Sequence, residues 1–188
     1  MRRFAAGLSL LTLASGAHKA AMFVMKARLG QLGGAELLGA VTAVLTTTWI
    51  VTALCHLGLP DLAMVRSALE TTERTRAQAR HGLDLGTVLV AAAIALALGL
   101  GARPDTPALV VLLVLGAIAQ HAAAVTLATL RGLAQPRLEA ATLAVAASCL
   151  VGVSLVADGP LGVAAGFALA GLVFLVAIGV GTRLVPAL

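Results

Sequence analysis

Charge is what this sequence has least of. Acidic and basic residues together make up 11% of the 188 positions, while hydrophobic residues make up 60%. A soluble domain carries about 25% charged residues, enough to coat its surface with hydrated groups. A chain with so few cannot cover a water-soluble particle of this length, and its mean hydropathy of +1.04 points the same way. Tyrosine is absent and tryptophan occurs once, at Trp49. The aromatic belts that often mark membrane interfaces are therefore nearly missing. The two cysteines, Cys55 and Cys149, lie inside apolar runs. They read as small hydrophobes, without the paired spacing of a zinc site.

Enzyme signatures are missing as well. There is no nucleophile elbow, no zinc-protease helix motif, no phosphate-binding loop and no dinucleotide fingerprint. Ser148 and Ser154 could only meet His121 as a base without any motif around them. No cofactor is expected, and no enzymatic activity. The net charge of +5 does not imply nucleic-acid binding, because the basic residues sit between apolar runs, where they set membrane topology.

What is present is a series of long apolar runs. A bilayer core of about 30 Å needs about 20 apolar residues of helix. Backbone groups in lipid must be paired within the segment, so such runs form helices. The two-residue alternation of a membrane barrel is absent. The expected fold is all-α, a polytopic bundle of about six transmembrane helices in one domain. The spans fall at about 4–25, 37–58, 85–102, 107–130, 139–157 and 161–182, with a helical connector over 61–84. A cleaved signal peptide is an alternative for the first span: Arg2 and Arg3 precede the apolar run, and Ser15-Gly16-Ala17 could be cleaved.

With the N-terminus inside, nine lysines and arginines fall on inner segments and three, Lys26, Arg28 and Arg103, on outer loops. That bias predicts a protein of the cytoplasmic membrane with both termini in the cytoplasm.

Ionisable and polar groups within spans are the candidate functional residues, since each needs a partner or a wet cavity. Lys19, beside His18, interrupts the first span. Thr48, Thr52 and His56 recur every four residues along one face of the second. Gln120 and His121 sit near the middle of the fourth. The bland readings are a snorkelling lysine, threonines bonded to their own helix, and an interhelical polar contact. Gly162, Gly166 and Ala170 form a ridge of small residues that suits close helix packing.

Several motifs, in order, resemble the polysaccharide and lipid-linked oligosaccharide flippases of the multidrug/oligosaccharidyl-lipid/polysaccharide exporter superfamily. They are the lysine-bearing first helix, Ala27-Arg28-Leu29-Gly30 followed by Gly34-Ala35-Glu36-Leu37-Leu38-Gly39, and His56-Leu57-Gly58-Leu59-Pro60 followed by Leu62-Ala63-Met64-Val65-Arg66. Leu130-Arg131-Gly132-Leu133-Ala134-Gln135-Pro136 and the glycine-rich start of the last span, Gly159 to Ala170, complete the set. The chain departs from the pattern at His56, where an acidic residue is usual, and at Gln31-Leu32-Gly33-Gly34, which lacks the family's proline.

The resemblance implies a transporter lobe that moves a lipid-linked saccharide across the membrane. Lys19, Arg28 and Arg66 would attract its diphosphate or sugar acids. Thr48, Thr52, Gln120 and His121 would meet its hydroxyls. It also implies a second six-helix lobe or a homodimer, because family members are built of two lobes that rock against each other. Two other functions stay open: a drug or small-cation exporter of the same fold, and a non-transporting membrane scaffold or subunit.

Overall fold

The computed structural model describes residues 2–56, 64–65, 85–102, 106–132 and 135–184. The expected connector over 61–84 and the candidate Arg66 lie outside these residues, apart from Met64 and Val65. The protein is all-α. Among the described residues five long helices follow one another: α1 (Arg2–His56), α2 (Leu85–Ala102), α3 (Pro107–Gly132), α4 (Pro136–Val156) and α5 (Pro160–Leu184). The last three each begin on a proline. A proline there costs nothing, because the first helical N–H has no intrahelical partner to lose.

Among the described residues four stretches are long and apolar enough to cross a membrane: Ser9–Cys55, Pro107–Ala124, Pro136–Val156 and Pro160–Ile178. The first is far longer than a bilayer is thick, and it is not straight. Gly34 has φ 73° and ψ −173°, a backbone conformation open in practice only to glycine. It divides α1 into arm A, residues 2–33, and arm B, residues 35–56. In one continuous helix the Cα atoms of Lys26 and Trp49 would stand roughly 34 Å apart. Instead the Lys26 ammonium lies over the Trp49 ring, 5.6 Å from its centroid. The chain therefore turns back at Gly34, and α1 is a helical hairpin.

This corrects one feature expected from the sequence. A loop should have separated the first two apolar runs and carried Lys26 and Arg28. The structure keeps helix on both sides of Gly34, so these two cations belong to arm A. The polar residues there are too few and the helix formers too many to break the helix, and the reversal needs only one glycine.

The packing sets the direction of each helix. One buried cluster joins Ala14 of arm A to Ala123 and Leu127 of α3, Ala140 and Leu143 of α4, and Phe174 and Ile178 of α5. A second joins Met25 and Leu29 of arm A to Val41 and Leu45 of arm B, Ala95 of α2, Val110 and Leu113 of α3, Leu150 of α4 and Phe167 of α5. The start of arm A thus shares a level with the end of α3, the start of α4 and the end of α5. Successive helices run up and down. Gly34, the Thr106–Pro107 turn and the Ala157–Pro160 turn gather at one end, where Leu37, Thr106, Pro107, Gly159 and Leu161 line a shared apolar depression.

Glycines let the helices approach closely. The ridge on α5 meets α4: a Cβ added at Gly166 would fall 1.9 Å from Val153 Cγ1. The α3–α5 contact rests on two glycines that hydropathy alone does not single out. A Cβ at Gly116 would lie 2.5 Å from Phe167, and one at Gly171 would lie 2.9 Å from the Ala119 Cβ and 3.0 Å from the Gly116 carbonyl oxygen. Backbone cannot rotate away as a long side chain can. Gly171→Ala is expected to force α3 and α5 apart and cost about 1–3 kcal/mol. Gly152→Ala, where nothing lies within 4 Å, should not. Thermal unfolding of the two variants in detergent separates these outcomes.

Candidate functional site: a cationic flank of the first helical hairpin

The helical period decides which side chains of α1 face the core. On arm A, Ala14, Ala21, Met22, Met25 and Leu29 point inward and are buried. Lys19 is about 100° round the helix from His18, its neighbour, and the two take opposite roles. His18 turns into the bundle. Its Nε2 donates to Gln120 Oε1 of α3 at 3.1 Å, and its ring lies 5.6 Å from that of Phe174 of α5. Lys19 is exposed on the outer surface. It lies halfway along an apolar arm, roughly 22 Å below the turn at Gly34 by helical rise.

Lys19 is not alone on that side. Residues seven apart in a helix return to nearly the same angle. Lys26 therefore shares the flank of Lys19, with Phe23 exposed between them. Arm B presents a matching stripe. Thr42, Thr46 and Trp49 recur at intervals of four and three and are exposed. Ala40, Ala43, Val44 and Thr47 line the crevice against Leu98 and Gly99 of α2. Gly39 lines it too, so Thr46, seven residues on, lies at the edge of that crevice, while Trp49 is turned toward arm A. The Lys26–Trp49 contact joins the two stripes into one surface. A lysine side chain leans toward the N-terminus of its helix, which carries the Lys26 ammonium down to the level of the indole. The pair contributes about 0.5–1 kcal/mol where exposed and more where water is excluded. The only acidic residue in either arm is Glu36, two positions past the turn. Among the described residues, Lys19 and Lys26 place two cations on this surface.

The other residues singled out from the sequence fall elsewhere. Arg28 is on the far flank of arm A and donates from Nη2 to the Ala157 carbonyl, 3.4 Å away, at the C-cap of α4. A cation there meets the negative end of the helix dipole. It ties arm A to α4 and does not join Lys19. Thr48 and Thr52 are each 1% exposed and face the core. Thr48 Oγ1 donates to the Val44 carbonyl at 2.7 Å, and Thr52 Oγ1 donates to the Thr48 carbonyl. Their hydroxyls are engaged with their own helix, as threonines in apolar helices commonly are. Gln120 holds His18 behind the cationic flank, and His121, next to it on α3, is half-buried. Ser148 is exposed on α4, whereas Ser154 is buried in it.

Lys19 is legible in the sequence, but four residues of the surface it belongs to are not. Lys26 reads as a loop charge, Thr42 and Thr46 do not stand out beside the Thr48–Thr52 stripe, and Trp49 reads as a lone aromatic. The seven-residue spacing of Lys19 and Lys26 was the available signal, legible only once the helix is known to continue to Gly33.

Glu139 is a further surprise. This carboxylate in the first turn of α4 is fully buried. An acid near a helix N-terminus is favoured by the dipole, and Thr142 Oγ1 donates to its backbone carbonyl at 2.8 Å.

No group of three or more histidine, cysteine or acidic side chains capable of holding a metal occurs among the described residues. No protein-family model, no curated protein and no solved structure matches this chain.

Proposed function

We propose that this chain is one lobe of a membrane transporter for lipid-linked saccharides, embedded in the cytoplasmic membrane with both termini inside. In this reading the bilayer is crossed six times, by the two arms of α1 and by α2 to α5. Arm B alone, at roughly 33 Å, is as long as a bilayer core is thick. The up-and-down packing and the gathering of alternate turns at one end suit such a path.

The observation that carries the proposal is the placement of Lys19. A lysine on the outer surface of an apolar bundle is held at least cost where its flank faces a wet cleft or a partner. A cleft walled by Lys19 and Lys26 attracts anions and repels cations. An anionic lipid, with phosphates on a hydrocarbon anchor, matches both this charge and the surrounding apolar surface. A drug-cation exporter would need the opposite charge at this place. The motifs shared with the polysaccharide flippases narrow the anion to a diphosphate-linked saccharide, and they imply a second lobe or second copy as the opposite wall of the cleft.

The test is transfer between leaflets. Protein reconstituted in vesicles, with the partner lobe where one is encoded, should speed the movement of a fluorescent polyprenyl-diphosphate saccharide to the outer leaflet. Transfer no faster than in protein-free vesicles under both conditions contradicts the proposal.

A further inference from the structure

We infer that Trp49, with Thr42, Thr46 and Lys26 around it, is a subsite that reads the saccharide part of the ligand, beside the phosphate-attracting Lys19. The inference rests on the transporter reading above and adds to it a residue that senses the sugar.

Trp49 is the only tryptophan in the chain and is 39% exposed. A tryptophan that merely anchors a helix sits at headgroup level. Trp49 instead lies roughly 22 Å past Gly34 by helical rise, within the length of arm B, and its ring meets the Lys26 ammonium of arm A. It is also on the flank turned to arm A, away from α2. The Lys26 ammonium covers one side of the indole, and the exposed remainder of the ring is left for a ligand.

The chemistry of this patch suits a pyranose. The C–H groups on one face of a sugar ring are weakly positive and stack on the electron-rich face of an indole, as a cation does. The hydroxyls of Thr46 and Thr42, about one and two helical turns from Trp49, both donate and accept hydrogen bonds. Lys26 adds a positive charge for an acidic sugar or for the outer phosphate. A lipid tail would gain nothing from the threonine hydroxyls or from the lysine. A saccharide held at a phosphate gains from all of them.

Because the protein has one tryptophan, its fluorescence reports on this position alone. The purified full chain in detergent should be titrated with two radiolabelled probes: a polyprenyl diphosphate, and the same lipid carrying one N-acetylhexosamine. The sugar-bearing lipid is expected to bind about 2- to 10-fold more tightly, the equivalent of one aromatic contact, and to shift the Trp49 emission. Trp49→Leu should erase that difference, so that the two lipids bind the variant equally. Trp49→Phe, which keeps an aromatic face and guards against a folding defect, should restore part of it. Equal binding of the two lipids by the wild type, or a preference that survives in Trp49→Leu, overturns the subsite and leaves the transporter reading standing. If neither lipid binds the wild type, or Lys19→Ala binds the bare lipid as well as the wild type does, the anionic-lipid reading falls and the subsite falls with it.

Discussion

Lys19→Ala is expected to slow transfer of a diphosphate-linked saccharide by about 30-fold or more, the effect of removing one partner of a desolvated, hydrogen-bonded charge pair. Insertion and folding should not suffer. A lysine within a span opposes insertion, by about 2.5–3.5 kcal/mol at the centre and less toward the ends, so alanine there makes membrane entry easier. A residue kept for stability would show the reverse pattern. Lys19→Arg should retain part of the activity, because the charge survives while the point-like ammonium is replaced by a broad fork. The checks are leaflet transfer in vesicles beside the amount of protein in the membrane fraction. An alanine variant that transfers as fast as the wild type would remove Lys19 from the mechanism.

Gly34→Val is the second change with a large expected effect, and it acts through backbone conformation. No atom lies within 4 Å of a Cβ placed at this residue, so packing does not forbid a side chain. The dihedral angles do. At φ 73° and ψ −173° an L-residue clashes with its own backbone, at a cost of about 1–3 kcal/mol. A β-branched residue stands at the upper end of that range. The chain has a cheaper alternative, which is to continue the helix through position 34. That would pull arm B away from arm A, break the Lys26–Trp49 contact and scatter the cluster of Leu29, Val41 and Leu45. A lower melting temperature in detergent should come with a change in Trp49 fluorescence as the lysine leaves the ring. Gly39→Ala is the matched control: it is five residues along, also without neighbours within 4 Å, and has no positive φ. It should be neutral or slightly stabilising, since alanine favours helix over glycine. Equal stability of the two variants would mean that the turn does not depend on glycine.

Particular residues show how far the sequence could be read. The last three apolar runs are visible, with starts expected at about 107, 139 and 161, because proline and charge punctuate them; the helices begin at Pro107, Pro136 and Pro160. The turn at Gly34 is half visible: Gly33-Gly34 marks a break, but nothing local says that helix resumes at once on both sides. Rotation about each helix axis is hardest to read. Thr42, Thr46, Thr47, Thr48 and Thr52 crowd one arm and satisfy more than one helical face. Hydropathy ranks them alike. Only tertiary packing, with Val41, Val44 and Leu45 drawn into the core, turns Thr48 and Thr52 inward and leaves Thr42 and Thr46 outside. The same holds for Lys19 and Arg28. Their shared charge suggests a shared site, but they lie on opposite flanks of arm A.

The most direct measurement is of sidedness along the first hairpin. Single cysteines at Glu36, Asp158 and Arg137, in a background where Cys55 and Cys149 are alanine, can be tested in intact cells with a membrane-impermeant thiol reagent. Positions 36 and 158 should label from outside, and position 137 only after the membrane is opened. Labelling of positions 36 and 137 from the same side would mean that arm A does not carry Lys19 through the bilayer.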